Sequence, residues 1–436
     1  MKTVLVVAYH FPPGGGPGVQ RVLKHVTYLR SAGWTPVVLT VEDGDFPARD
    51  ESLLARIPPD VTVIRVPILE PYSLYRTLMG DKGAAIDVNV NKTEQQRSGW
   101  KAALAEYIRA TFFIPDARVG WLLTAVRAGM KAIAEHNIDA IYSSAPPYTC
   151  ALIGRALHRR SGLPWVAGFR DPWTGFLTTP HRWWLPAWID RRLERSVFQT
   201  ASAVEVAWQG ITTDALCKYP QLDAAKFVHI PNGYDSADFP TVNEPPPSTF
   251  TITYTGSLYG RRNPSTFLAA LALLQQRGHL QPANIVLRFV GRFGQDVLDM
   301  LASSPFAGSI HNVGYVPHHE SIAWLLQSNV LLLIVDEAPE SDAIVPGKVY
   351  EYLGTKRAVL ALAPHGSAIE QLVQQTKAGT SVPQSNIEGI ANAIATMYTL
   401  WQHGQPLAEP LDGAIEQYER KNAAHQLAHV LTTLTQ

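Results

Sequence analysis

Lys348 and Glu351 stand three residues apart in the stretch Pro346-Gly347-Lys348-Val349-Tyr350-Glu351-Tyr352-Leu353-Gly354, with apolar runs on either side. The run over 329–335 and the run over 358–362 read as successive buried strands, so the stretch between them predicts a short helix joining parallel strands. A helix N-terminus carries partial positive charge and spare N–H donors, and it favours phosphate. Lys348 adds a full charge there, and Glu351 is placed to accept hydrogen bonds from a ribose diol. The same spacing equally suits a surface ion pair, which is worth little.

Other residues can do related chemistry. Pro12-Pro13-Gly14-Gly15-Gly16-Pro17-Gly18 follows an apolar run and opens a helical pattern carrying Arg21 and Lys24. Such glycines let backbone N–H groups approach an anion. The dinucleotide spacing fails, because Val19 or Arg21 falls where the third glycine belongs, and no Gly-Lys-Ser/Thr follows for a P-loop. The loop reads as a contact for diphosphate or acceptor, or as a plain tight turn. Asp43-Gly44-Asp45 has the look of a metal-binding acidic pair but reads better as a solvated turn. No metal site is expected.

Phe169-Arg170-Asp171-Pro172-Trp173 lies at the end of a predicted strand. Asp171 there can orient or deprotonate an acceptor hydroxyl, and Trp173 can stack on a sugar face. An internal Arg170–Asp171 pair that fixes the loop accounts for the pattern equally well. Tyr254-Thr255-Gly256-Ser257-Leu258-Tyr259-Gly260-Arg261-Arg262 ends another strand in glycines and two arginines, which pair with phosphate oxygens in a fork or simply face water. His181-Arg182-Trp183-Trp184-Leu185-Pro186-Ala187-Trp188 with Arg191 and Arg192 mixes aromatics with cations. That profile suits peripheral contact with an anionic lipid surface, and it suits core packing under a basic face no less.

The elements that must position these residues follow from the periodicity. Strands are expected over 4–8, 36–40, 61–66, 139–143, 165–169 and 203–206, then over 251–255, 285–290, 329–335 and 358–362. Helical patterns fall between them; Val19, Val22, Leu23, Val26 and Leu29 form one apolar stripe that Gly33 ends. The stretch 71–100 is polar and irregular. A Pro-rich linker over 241–249 separates an N-terminal domain, 1–240, from a C-terminal one, 250–410, and 411–436 supplies a final helix expected to pack back across both. The alternation predicts an α/β protein of two Rossmann-like domains whose parallel sheets face each other across a cleft.

Length and composition agree with two domains. The chain has 436 residues, too many for one ordinary core. Lys plus Arg equals Asp plus Glu at 37 each, which argues against a nucleic-acid partner. Two cysteines and no run of membrane-spanning length lead us to expect a cytoplasmic protein without a disulfide framework.

Taken together, the Gly14-Gly15-Gly16 loop, Pro231-Asn232-Gly233-Tyr234-Asp235, Gly256 through Arg262, Gly314-Tyr315-Val316 and the Lys348/Glu351 helix resemble family-4 retaining glycosyltransferases of the GT-B fold, the type that builds bacterial polysaccharides and lipid-linked sugars. Pro146-Pro147 and Arg170-Asp171-Pro172-Trp173 resemble one branch of that family. The resemblance implies a nucleoside-diphosphate sugar as donor substrate, a glycan or lipid-linked acceptor, no cofactor and no metal. It places Arg261, Arg262 and Lys348 on the diphosphate, Glu351 on the ribose, and Tyr315 and Val316 beside the base. Gly256 belongs to the same donor site, and Gly15 and Gly16 offer N–H groups to the donor. Asp171, Arg262 and Lys348 are the expected catalytic residues.

Two positions depart from the family pattern. Ala343 stands where the family carries a first glutamate for the donor sugar, with Asp342 and Glu340 nearby, and Asn263 stands where a lysine commonly follows the arginine. Ala343 leaves open a catalytically silent nucleotide-sugar-binding protein of the same fold, and the shared architecture leaves open a sugar-nucleotide epimerase.

Overall fold

A computed structural model describes residues 1–46, 49–68, 107–108, 110–176, 179–240, 248–258, 262–336 and 345–436. The polar stretch 71–100, the linker core 241–247, Arg261, Glu340, Asp342 and Ala343 lie outside the described residues. The chain forms two compact units, one of Met1–Asn232 with Arg420–Gln436 and one of Gly233–Glu419. The division thus falls at Asn232, ahead of the Pro-rich stretch, and the expected 411–436 segment is shared between the units.

In the first unit, seven strands lie in the order β3-β2-β1-β4-β5-β6-β7. They are β1 (Lys2–Ala8), β2 (Trp34–Val41), β3 (Thr62–Val66), β4 (Ala140–Ala145), β5 (Trp165–Phe169), β6 (Ala203–Val206) and β7 (Phe227–His229). Every pairing is parallel, with Val4 against both Pro36 and Ala140. Helices α1 (Pro17–Leu29), α2 (Trp121–Glu135), α3 (Thr149–Ser161), α4 (Trp184–Thr200) and α5 (Gln209–Lys218) lie between these strands along the chain. The apolar runs are buried on both faces, as a parallel sheet covered by helices requires. Strand order reverses between β1 and β4, so the loops leaving those two strands diverge from a common point.

The apolar stripe of α1 is buried as its spacing predicts. The helix starts two residues before the expected Val19, because a proline is tolerated at the first helical position. The other face of α1 meets the last helix, Arg420–Leu434, through Ala423, Ala424, Leu427 and Leu431. Trp34 Nε1 donates to Thr432 Oγ1 at 3.1 Å, and Lys2 Nζ donates to Thr435 Oγ1 at 2.7 Å. The terminal helix is therefore a layer of the first unit.

The second unit repeats the plan with six strands in the order β10-β9-β8-β11-β12-β13. These are β8 (Phe250–Thr255), β9 (Ile285–Val290), β10 (Ile310–Gly314), β11 (Val330–Ile334), β12 (Ala358–Leu362) and β13 (Gly379–Val382). Its helices are α6 (Ser265–Gln276), α7 (Gln295–Ser303), α8 (His318–Leu326), α9 (Lys348–Thr355), α10 (Ala368–Thr376), α11 (Ile387–Gln402) and α12 (Asp412–Glu416), and the last helix of the chain is α13 (Arg420–Leu434). Order reverses between β8 and β11. Among the described residues no helix is long and apolar enough to cross a membrane.

A buried ionic cluster ties α1 to the sheet. Arg21 Nη2 donates to Glu205 Oε1 at 2.5 Å and to the Ile230 carbonyl at 2.8 Å, while its Nη1 reaches Asn232 Oδ1 at 2.9 Å. Tyr142 donates to the other oxygen of Glu205 at 2.6 Å. Burial by itself would raise the pKa of Glu205, but the Arg21 guanidinium and its hydrogen-bonding neighbours outweigh it and bring the pKa down to about 2. The native carboxylate is thus favoured over the unfolded one, whose pKa is 4.5. Its stabilisation is present above that value and is lost as pH falls from 4.5 toward 2. Glu205→Gln leaves Arg21 buried without its counter-charge, at a cost of about 3–5 kcal/mol. Urea unfolding across this pH range should show the loss in the parent and a flatter profile in the variant.

Candidate functional site

The switch point of the second unit collects charged groups. β8 ends at Thr255, and Gly256 turns the chain at φ +109° while its N–H bonds the Val290 carbonyl at 2.8 Å. Gly291, at φ +147°, passes so close that a Cβ there would lie 2.0 Å from the Gly256 oxygen. Only glycine allows both backbones at this crossing. Helix α9 starts next to it and is pinned by Tyr352, whose hydroxyl accepts from the Thr255 N–H at 3.0 Å and donates to the Leu332 carbonyl at 3.3 Å. Lys348, the first residue of α9, donates from Nζ to the Thr255 carbonyl at 3.1 Å and stands 3.7 Å above the Tyr254 ring.

Burial lowers the pKa of Lys348 well below the ordinary lysine value, nearby Arg262 lowers it further, and Glu351 opposes both. Arg262 has a buried Nε with no hydrogen-bond partner among the described residues. One turn along α9, Glu351 Oε1 accepts from His318 Nε2 at 2.7 Å. His318 opens α8, directly after Tyr315-Val316-Pro317. The Tyr315 ring is 60 % exposed, and Arg292 stacks on it with Cζ 4.5 Å from the centroid. Two basic side chains therefore share one partly buried place, while Glu351, the carboxylate the described residues set against Lys348, is held by an imidazole. An anion is the kind of ligand that would relieve the repulsion between them.

In the first unit, Arg170 and Asp171 follow β5, and Arg170 acts on His10 from the loop after β1 and bonds Pro146 in the loop after β4. Gly15 and Gly16 precede α1, and the Gly16 carbonyl accepts from the N–H groups of Val19 and Gln20. A Cβ on Gly18 would lie 1.9 Å from Arg170 Nη1, so the bare helix start makes room for that guanidinium. Arg170 Nη2 donates to the Pro146 carbonyl at 2.5 Å, and its buried Nε has no hydrogen-bond partner among the described residues. Burial raises the pKa of Asp171, with Arg170 pulling the other way. Burial, then Arg170 and Arg118, bring His10 down to about 3, so its imidazole is neutral at physiological pH.

Of the expected site residues, Gly256, Arg262, Tyr315, Val316, Lys348 and Glu351 belong to the second unit and Gly15, Gly16 and Asp171 to the first. Arg261 lies outside the described residues. Two expectations are corrected. Trp173 is fully buried, stacked on Tyr148 at 4.9 Å with Nε1 donating to Asp190 Oδ1 at 2.9 Å, so it presents no face to a sugar. Asp45 is not simply solvated, because Arg118 Nη2 pairs with it at 3.1 Å. Sequence reasoning passed over His10 and His318. His10 carries a signal, a polar residue directly after a buried strand; His318 carries none, since its contact with Glu351 spans 33 positions.

In an NMR titration of the lysine side chains, Lys348 should deprotonate well below the other lysines. Arg262→Gln should move its titration upward; an unchanged titration would remove that guanidinium from the surroundings of Lys348.

Residues 89–238 match the family model described as Glycosyltransferase Family 4, and residues 249–399 match the one described as Glycosyl transferases group 1. No curated protein matches the sequence significantly. Among solved structures the chain is similar to HepE of Anabaena in complex with UDP and glucose, at 15 % identity and a TM-score of 0.62 over 99 % of this chain and 100 % of that one. It is similar to a glycosyltransferase of Rickettsia africae at 14 % and 0.62, over 99 % and 98 % of the two chains. Sucrose-phosphate synthase of Thermosynechococcus elongatus gives 15 % and 0.63, over 100 % and 99 %. At such identities the structural likeness establishes the fold, and the family models carry the rest.

Proposed function

The chain belongs to the family-4-type glycosyltransferases of the GT-B fold, and on that premise we propose that it moves a sugar from a nucleoside diphosphate to a glycan or lipid-linked acceptor, with retention of configuration and without a metal. The observation that carries this reading is the Lys348–Arg262 pair beside Gly256 at the start of α9, two basic side chains that act on each other as like charges in a partly buried place. Both matching family models describe glycosyltransferases, so neither the epimerase nor the silent-binding reading is favoured.

Lys348, Arg262 and the α9 N-terminus neutralise the leaving diphosphate. Glu351, oriented by His318, accepts hydrogen bonds from the ribose, and Tyr315 and Val316 border the base. Gly15 and Gly16 offer backbone N–H groups to the substrates. In the transfer, the bond from the anomeric carbon to phosphate oxygen breaks and a bond to the acceptor oxygen forms on the same face. The acceptor proton passes to the departing diphosphate. Asp171 orients the acceptor hydroxyl by accepting a hydrogen bond from it.

A UDP-sugar is the first donor to try, since the Anabaena structure holds UDP and glucose. Thermal-shift measurements with UDP, GDP and ADP and their sugar conjugates should give one selective shift that EDTA leaves unchanged. Absence of any shift would overturn the donor site. Glu351→Ala should weaken donor binding by about 1–3 kcal/mol in calorimetry; unaltered affinity would take Glu351 out of the site. Asp171→Asn should reduce transfer far more than donor binding, and equal losses would make Asp171 structural.

A further inference from the structure

Helix α4 reads in sequence as a mixed-charge amphipathic helix, with Asp190 and Glu194 among Arg191, Arg192 and Arg195. The fold separates the two signs. Asp190 is turned inward, accepting from Trp173 Nε1 at 2.9 Å and from Arg182 Nε at 3.0 Å. Glu194 is fully buried, where Thr174 donates to it at 2.5 Å and Tyr219 at 2.8 Å. Pro186, Asp190, Glu194 and Val197 form the inner stripe at helical spacing.

The opposite stripe, Trp184, Trp188, Arg191 and Arg195 with Arg192 beside it, faces outward. Trp184 is 75 % exposed and Trp188 51 %, and the Arg192 guanidinium lies 4.5 Å from the Trp188 centroid. Among the described residues none of these three arginines has an acidic partner. The apolar part extends beyond the helix. Trp183 Nε1 donates to Thr111 Oγ1 at 2.9 Å, and Arg182 Nη2 bonds the Phe113 and Pro115 carbonyls at 3.0 and 2.8 Å. Those bonds hold Phe112, 72 % exposed, next to the start of α4.

We propose that this face of α4 docks the protein on an anionic lipid bilayer, with Trp184, Trp188 and Phe112 in the interfacial layer and Arg191, Arg192 and Arg195 at the headgroups. Tryptophan settles at the boundary between water and hydrocarbon, and arginine reaches phosphate while its stem covers apolar surface. Opposite charge selects the occupant, because a second copy of this chain meeting the same face would set arginines against arginines. The proposal rests on the transferase reading only in giving a lipid-linked acceptor a reason to be near.

The test is flotation of the full chain with vesicles of phosphatidylcholine alone or mixed with phosphatidylglycerol, with the nucleotide thermal shift measured on the same samples. The protein should float with the mixed vesicles only and be released by high salt. Each of Arg191→Gln, Arg192→Gln and Arg195→Gln should weaken partitioning about fivefold. Trp184→Ser with Trp188→Ser should abolish it, while circular dichroism and the nucleotide shift stay as in the parent. Three results overturn the proposal: no flotation with the mixed vesicles, equal flotation on the neutral ones, or parent-like flotation of the arginine variants. A dimer that sedimentation detects only in the parent, without flotation, also overturns it and assigns the face to a second copy. A nucleotide shift without flotation sinks the docking surface alone, and flotation without any shift sinks the transferase reading alone.

Discussion

A parallel sheet cannot be closed by hairpins, so each strand must be followed by a crossover that returns over one face. Where successive crossovers change face, the loops leaving two adjacent strands part, and backbone at the strand ends is left without a neighbour. Both units are built on this constraint, at β1/β4 in the first and β8/β11 in the second. The glycine loop leaves β1, the Gly256 turn leaves β8, and α9 lies between β11 and β12. The residues with chemical potential are therefore those that a doubly wound sheet leaves at its divergent loops.

At the second of these points, electrostatic tension does the preparing. Lys348 is taken partly out of water, fixed by a carbonyl and an aromatic face, and set near Arg262. Each of these raises the free energy of its charged form, apart from the carbonyl bond and the Tyr254 ring, which hold it in place. On the proposed reading, a diphosphate is the countercharge that would relieve the repulsion between these two basic groups. The Arg21–Glu205 cluster shows the opposite use of buried charge. There the Arg21 guanidinium and the Tyr142 hydroxyl find acceptors in Glu205 and the Ile230 carbonyl, and the result is a fixed joint between α1 and the sheet instead of a binding site.

The formal net charge of zero conceals how charge is distributed. Asp190, Glu194 and Glu205 point inward and are occupied by Arg182, Trp173, Thr174, Tyr219, Tyr142 and Arg21. Acidic residues spent inside leave arginines in the majority on the surface above them. An overall neutral chain thereby acquires a cationic aromatic face, which no sum over composition would reveal.

Much of the architecture was legible in the sequence because central strands of a covered parallel sheet must be apolar on both faces. Runs such as 4–8, 330–334 and 358–362 announce themselves for that reason. The edge strands β7, β10 and β13 were not, since an edge is short or half exposed and carries His, Asn, Thr and Ser like any loop. The identity of the charged site residues, and the spacing of Lys348 and Glu351 on one helix, are local properties that the sequence by itself determined. What only the tertiary structure decided are the pairings across long separations: His318 on Glu351, Trp173 drawn into the core by Tyr148 and Asp190, and the acids of α4 turned inward. Helical periodicity orients a stripe of residues, but which stripe is buried depends on partners that the chain delivers from dozens of positions away.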